Sequence, residues 1–157
     1  MMSFFLIEIV TKDKLVHQGV YFESPKKNKK AILWVHGLTD NFYGDQVTLE
    51  TFADYCEKEG WGFASFNNRG HDIVSSIAKI DKRKPKGRTA IAGGSAYEDF
   101  RGCLYDIDGA VTFLARQGYS EVVLMGISTG ANKACYYAGS RRDPRVVAVV
   151  LASAISD

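Results

Sequence analysis

Ser128 stands at the centre of Gly126-Ile127-Ser128-Thr129-Gly130, a G-x-S-x-G pattern. The apolar run 121–125 precedes it and the helix-forming run 131–138 follows it. A strand that ends, a chain that turns sharply and a helix that begins would leave the serine at an apex. The glycines two before and two after let strand and helix approach closely while the serine backbone takes up strain. The start of the helix directs positive dipole and free N–H groups toward the same point. This is the equipment of acyl transfer, with a hydroxyl nucleophile beside donors for a developing oxyanion. An ordinary strand-to-helix glycine turn shares the bare pattern, so the context has to carry the reading.

A serine hydroxyl needs a base to become a nucleophile, and the base needs an orienting carboxylate. The three histidines, His17, His36 and His71, all precede Ser128. His17 is expected to face solvent in a structural role. Asp143, within Arg141-Arg142-Asp143-Pro144-Arg145, reads as a helix-end or turn residue. Tyr97-Glu98-Asp99-Phe100 should open a helix, its acids suited to the positive end of the helix dipole. Asp106 and Asp108 should lie on a solvated helix face.

The elements that must position these groups follow from periodicity. Runs 4–10 and 15–23 read as an antiparallel hairpin, and 24–30 as a solvated basic turn. Continuous apolar runs at 31–35, 61–66, 121–125 and 145–152 read as strands, with 31–35 and 146–151 buried on both faces. Helical spacing marks 46–59, 97–117 and 129–140, with Gly60 and Gly118 as stops for the first two. Residues 67–95 show no period and read as a long functional or mobile loop. Its basic part, 79–88, could attract a carboxylated or phosphorylated substrate or be simply a solvated charged face. Strand–helix alternation implies a mostly parallel sheet covered on both faces, an α/β fold.

Composition limits the function classes. The 157 residues suit one domain. Twenty basic against 18 acidic residues give a net charge of +2, and no basic helix suggests nucleic acid. The first residues carry no basic n-region, and Glu8 interrupts their apolar run, so neither a secretion signal nor a membrane span is expected. Three separated cysteines (Cys56, Cys103, Cys135) lack metal-ligand spacing. Their odd number points to a reducing, cytoplasmic compartment, and all three are expected as buried thiols.

Taken in order, these segments resemble the α/β-hydrolase family. The opening hairpin comes first, then a strand ending in His36-Gly37. A strand ending in Asn67-Asn68-Arg69-Gly70-His71 follows, like the family's polar-x-R-G-x-G segment, and the turn at Ser128 comes last. The resemblance spans essentially the whole chain but only the front part of the family's fold. It implies Ser128 as nucleophile, with the backbone N–H groups of Thr129 and Leu38 as oxyanion donors. It implies that His36 stabilises the loop by a hydrogen bond, with Gly37, Gly126 and Gly130 supporting the turn. Ile127 departs from the polar residue many relatives carry before the serine, which reads as a change of packing. Asn41, Tyr43 and Asp45, near the oxyanion loop, could line a pocket or be plain surface.

The family's chain order places an acid and then a histidine after the serine, and no histidine occurs after Ser128. His36, His71 (in place of a structural glycine) and Asp157 stay open as catalytic candidates within the chain. The expected organisation is that 1–157 forms the N-terminal part of a single hydrolase domain, an incomplete α/β-hydrolase fold with the acid and His outside it. Ending the sheet at 146–151 would leave a very apolar open edge. The isolated chain is therefore expected to be inactive. The implied activity is cleavage of a small carboxylic ester through an acyl-enzyme, without metal or organic cofactor. Thioester, amide and acyl-transfer chemistry share the same machinery. The alternative is a non-catalytic relative that binds a ligand in the same pocket.

Overall fold

The computed structural model describes residues 3–155 apart from Pro25 and Lys27, with the backbone alone of Ser3 and Phe4. Strands β1 (Ser3–Val10) and β2 (Leu15–Glu23) form the expected antiparallel hairpin, registered from Ser3 opposite Glu23 to Val10 opposite Val16. The next strands are β3 (Lys30–Val35) and β4 (Gly62–Phe66), with helix α1 (Gln46–Glu59) between them. Later come helix α2 (Cys103–Arg116), strand β7 (Glu121–Ile127), helix α3 (Thr129–Arg141) and strand β8 (Val146–Ala152). The strands lie side by side in the order β1, β2, β4, β3, β7, β8. The block β4, β3, β7, β8 is parallel, and β2 joins it antiparallel.

Period-two alternation in β3 distributes the core. Ile32 and Trp34 face one side and pack with Phe63 against Leu49, Ala53 and Cys56 of α1. Leu33 and Val35 face the other side and pack with Leu124 against Ile107, Val111 and Leu114 of α2 and Tyr137 of α3. Both faces of the central strands are thus covered, but β8, also expected to be buried on both faces, is largely exposed, since it is the outermost strand on its side of the sheet among the described residues. The Asp45 side chain caps α1 by accepting the Thr48 N–H at 3.1 Å. Gly60, with φ +74°, terminates it in the left-handed conformation.

The stretch read as an irregular loop contains two strands, β5 (Ser75–Ile80) and β6 (Arg88–Gly93), paired antiparallel. Ile77 opposite Ile91 is their one pair of large apolar residues; alanine, serine and lysine fill most of the rest, so alternation is weak. β1 runs along one edge of β2, while the other edge is shared by β4 (through Gly19–Phe22) and β5 (through Leu15 and Val16). The hairpin therefore projects beyond the carboxyl end of β4, the end of the sheet at which Ser128 lies. The basic segment forms its tip, with Arg83 bound to Asp81 and Arg88 to Glu8.

The second helix signal also begins later than its spacing suggests. Asp99 accepts the Arg101 N–H at 3.1 Å and starts a single 3-10 turn, Phe100–Gly102, before α2. Among the cysteines, Cys56 and Cys103 are buried as expected and Cys135 is exposed. Burial raises both buried thiols, to about 12. No described helix is long and apolar enough to cross a membrane.

Candidate functional site

Ser128 sits between β7 and α3 with φ 53° and ψ −126°, a conformation costly for a residue with a Cβ. Its N–H donates to the Ala152 carbonyl at 2.9 Å, and its carbonyl accepts the Ala131 N–H at 2.9 Å. The bend is therefore held from both sides. Thr129 and Gly130 occupy the first turn of α3, where N–H groups have no intrahelical acceptor.

Close approach explains the glycines. A Cβ on Gly130 would collide with the carbonyl oxygens of Val35 and His36, and one on Gly126 with the carbonyl of Gly130. The start of α3 thus lies directly on the end of β3. Gly37 completes the contact, since a Cβ there would lie 3.2 Å from the Ser128 Cβ. The loop opening with His36-Gly37-Leu38 is thereby laid against Ser128, with the Leu38 side chain about half exposed. Ile127 packs against the α1-side core cluster, in keeping with a packing role.

His36 is fully buried and its protonation follows from its partners. Its Nε2 accepts the Asn68 N–H at 3.1 Å, so the proton is on Nδ1, which donates to the Gly37 carbonyl at 2.9 Å. Burial pushes the imidazole down to about 4 and the charge of Lys133 acts in the same direction, against the Gly37 carbonyl. The ring is neutral near pH 7.

The structure corrects the readings of His17 and Asp106. His17 does not face solvent; it is buried, with Nε2 3.0 Å from Asp106 Oδ1. Nor is Asp106 a solvated helix-face residue, being only 3% exposed. It accepts the Arg69 N–H at 2.9 Å and the Arg69 guanidinium through both oxygens, while Arg69 also reaches Asp13 at 3.0 Å. Burial alone would raise Asp106; His17 and Arg69 outweigh it and hold the carboxyl well below the usual carboxylate range. This cluster fastens the segment after β4 to β2 and α2. Asp108 is only partly buried, 3.5 Å from Arg145.

The remaining candidates have local partners. His71 Nδ1 lies 2.8 Å from Asp72 Oδ2, and Asp72 also accepts the Asn41 amide at 3.1 Å. The Asn41 and His71 hydrogen bonds hold Asp72 below the usual carboxylate range. Asp45 serves as the α1 cap, and Tyr43 is exposed with its ring edge-on to Phe42. Asp143 sits in a turn, bound to Arg145 at 2.6 Å and to the Tyr137 hydroxyl at 2.8 Å. Its carboxyl is lowered to about 2, chiefly by Arg145. Asp157 lies outside the described residues.

Sequence reasoning missed one pair altogether. Lys133, on α3, is 1% exposed and pairs with Glu98 at 2.5 Å. Glu98 is thus turned inward rather than serving a helix dipole. A signal was available, because Lys133 falls at the spacing of Gly130, Ala134 and Tyr137, the buried stripe of α3.

A family model described as the alpha/beta hydrolase fold matches residues 30–157. The chain belongs to this family. Solved structures agree in fold. The esterase Pf2001 of Pyrococcus furiosus is 18% identical with a TM-score of 0.70, over 98% of this chain and 51% of its own. The alpha/beta hydrolase GrgF from Penicillium sp. sh18 is 18% identical with a TM-score of 0.71, over 100% of this chain and 47% of its own. A thermostable carboxyl esterase from Bacillus coagulans is 13% identical with a TM-score of 0.62, over 96% of this chain and 44% of its own. The chain thus spans about half the length of these proteins. No curated protein sequence matches it significantly.

Proposed function

We propose that this alpha/beta hydrolase chain carries the nucleophile and oxyanion donors of a serine hydrolase that cleaves a carboxylic ester. One observation carries the reading: Ser128 is held at φ 53° between a strand and the first turn of a helix, with Gly37 packed on it. In this reading the Ser128 hydroxyl attacks the ester carbonyl and the carbonyl oxygen becomes an oxyanion. The N–H groups of Thr129 and Leu38 hold that charge, and a single such donor contributes about 3–4 kcal/mol in a measured case. The alcohol leaves with the proton taken from Ser128, and water then releases the acid from the acyl-enzyme.

The carboxylate and imidazole that activate Ser128 are proposed to lie outside residues 1–157. His17 and His36 are engaged in buried hydrogen bonds, His71 is bonded to its neighbour Asp72, and no histidine follows Ser128. The same observation favours a second reading, a non-catalytic relative that uses the site to bind a ligand. A fluorophosphonate probe separates the two. Labelling of the full-length protein, lost in Ser128→Ala, supports the hydrolase. An unlabelled serine in folded protein supports the binding module. Turnover of p-nitrophenyl acetate by polypeptide 1–157, abolished by Ser128→Ala, would overturn the placement of the base.

A further inference from the structure

Lys133 occupies a core position, and a charge there costs free energy unless it is matched. It is matched twice: Nζ pairs with Glu98 at 2.5 Å and donates to Asn68 Oδ1 at 2.9 Å. Gly70 leaves the space that the Glu98 carboxylate fills. Replacing a buried ion pair by apolar residues of similar volume is often neutral or stabilising. Stability alone is therefore a weak explanation for this one.

Its connections suggest another. The Asn68 N–H donates to His36 Nε2 at 3.1 Å, and His36 Nδ1–H donates to the Gly37 carbonyl at 2.9 Å. The Gly37 carbonyl and the Leu38 N–H belong to one planar trans peptide, so fixing the oxygen fixes the direction of the N–H. Lys133 itself is on α3, whose first residue follows Ser128. The chain of contacts thus starts on the helix that carries the serine and ends at the peptide that carries the second donor. We propose that Lys133, with Glu98 as its counter-ion, is a positioning residue that orients the Leu38 amide toward Ser128 through Asn68 and His36. The role in catalysis rests on the serine-hydrolase reading; the orientation of the amide does not.

The test uses the full-length protein and three variants: Lys133→Met, the double variant Lys133→Met/Glu98→Leu, and Asn68→Ala. Lys133→Met strands Glu98 and lowers the thermal midpoint, and the double variant regains it. If the pair only stabilised the fold, activity would return with the midpoint. The expected result is that kcat stays down about tenfold or more in the double variant, with KM little changed. The Leu38 amide resonance, which reports the orientation of that peptide, should also shift from its wild-type position. Asn68→Ala, which keeps the ion pair and cuts its link to the loop, should give the same two signatures. Wild-type kcat and a wild-type Leu38 amide resonance in either the refolded double variant or Asn68→Ala would overturn the proposal. A wild-type protein unlabelled at Ser128 defeats the hydrolase reading, while the Leu38 amide resonance still decides the positioning role.

Discussion

At the scale of single residues, the site depends on atoms that leave no room for substitution. Gly130→Ala places a methyl group against two main-chain carbonyls, those of Val35 and His36, and neither is a flexible side chain. A loss of about 1–3 kcal/mol is expected, read as a lower thermal midpoint; an unchanged midpoint would mean that α3 does not sit on β3 as described. His36 makes a different prediction. Its imidazole is pushed down to about 4 in the fold, against about 6.5 in an unfolded chain. Between these values the unfolded state binds more protons, so this group's contribution is complete above pH 6.5 and is lost as pH falls toward 4. The advantage of wild type over His36→Asn in denaturant midpoint should therefore narrow between pH 7 and pH 4.5. A gap constant across that range would contradict the buried neutral ring. Ser128 and its flanking glycines were legible in the sequence because their spacing repeats a backbone requirement. The pairing of His17, Asp106 and Lys133 was not, although Lys133 falls on the buried stripe of α3, because their partners are far away in the chain.

At the scale of elements, those long-range partners fix how the strands and helices meet. Asp106 ties α2 to Arg69 after β4 and to His17 in β2, and it is nearly inaccessible to water. Asp106→Asn keeps the shape and removes the charge that Arg69 faces. Breaking one side of such a buried pair costs about 3–5 kcal/mol, so the denaturant midpoint should fall steeply at pH 7. A shift within error would show that Asp13 alone suffices for Arg69. The elements legible in the sequence were those with a buried stripe or a sustained apolar run: the β1–β2 hairpin, β3, β4, β7, β8, α1, α3 and the body of α2. The β5–β6 hairpin escaped because it buries little. Most of β6 is exposed, and β5 is only half-buried, apart from Ile77 and the exposed Ser76, so no hydrophobic alternation was needed to hold it. Its register is set by backbone pairing and by the turn around Gly87, with φ +66°, and such features leave a faint trace in composition.

At the scale of the whole molecule, the sheet is finished unequally. β3 is buried on both faces, but Val147, Val149, Val150 and Leu151 of β8 are 38–53% exposed. Among the described residues β8 pairs with β7 alone, so its faces and its outer row of peptide groups are open together. An apolar strand presented in this way is a template for pairing with another chain. Polypeptide 1–157, produced by itself, is expected to self-associate with rising concentration. Val150→Lys places a charge beside that outer edge, on the face of the sheet that α1 covers elsewhere, and should shift the polypeptide toward monomer in light scattering. The sign of the same substitution reverses wherever further chain covers the strand, because the charge is then buried without a partner. Val150→Lys that solubilises polypeptide 1–157 but lowers the thermal midpoint of the full-length protein would show β8 to be an interior strand of the complete molecule. Equal behaviour in both settings would make it a true edge.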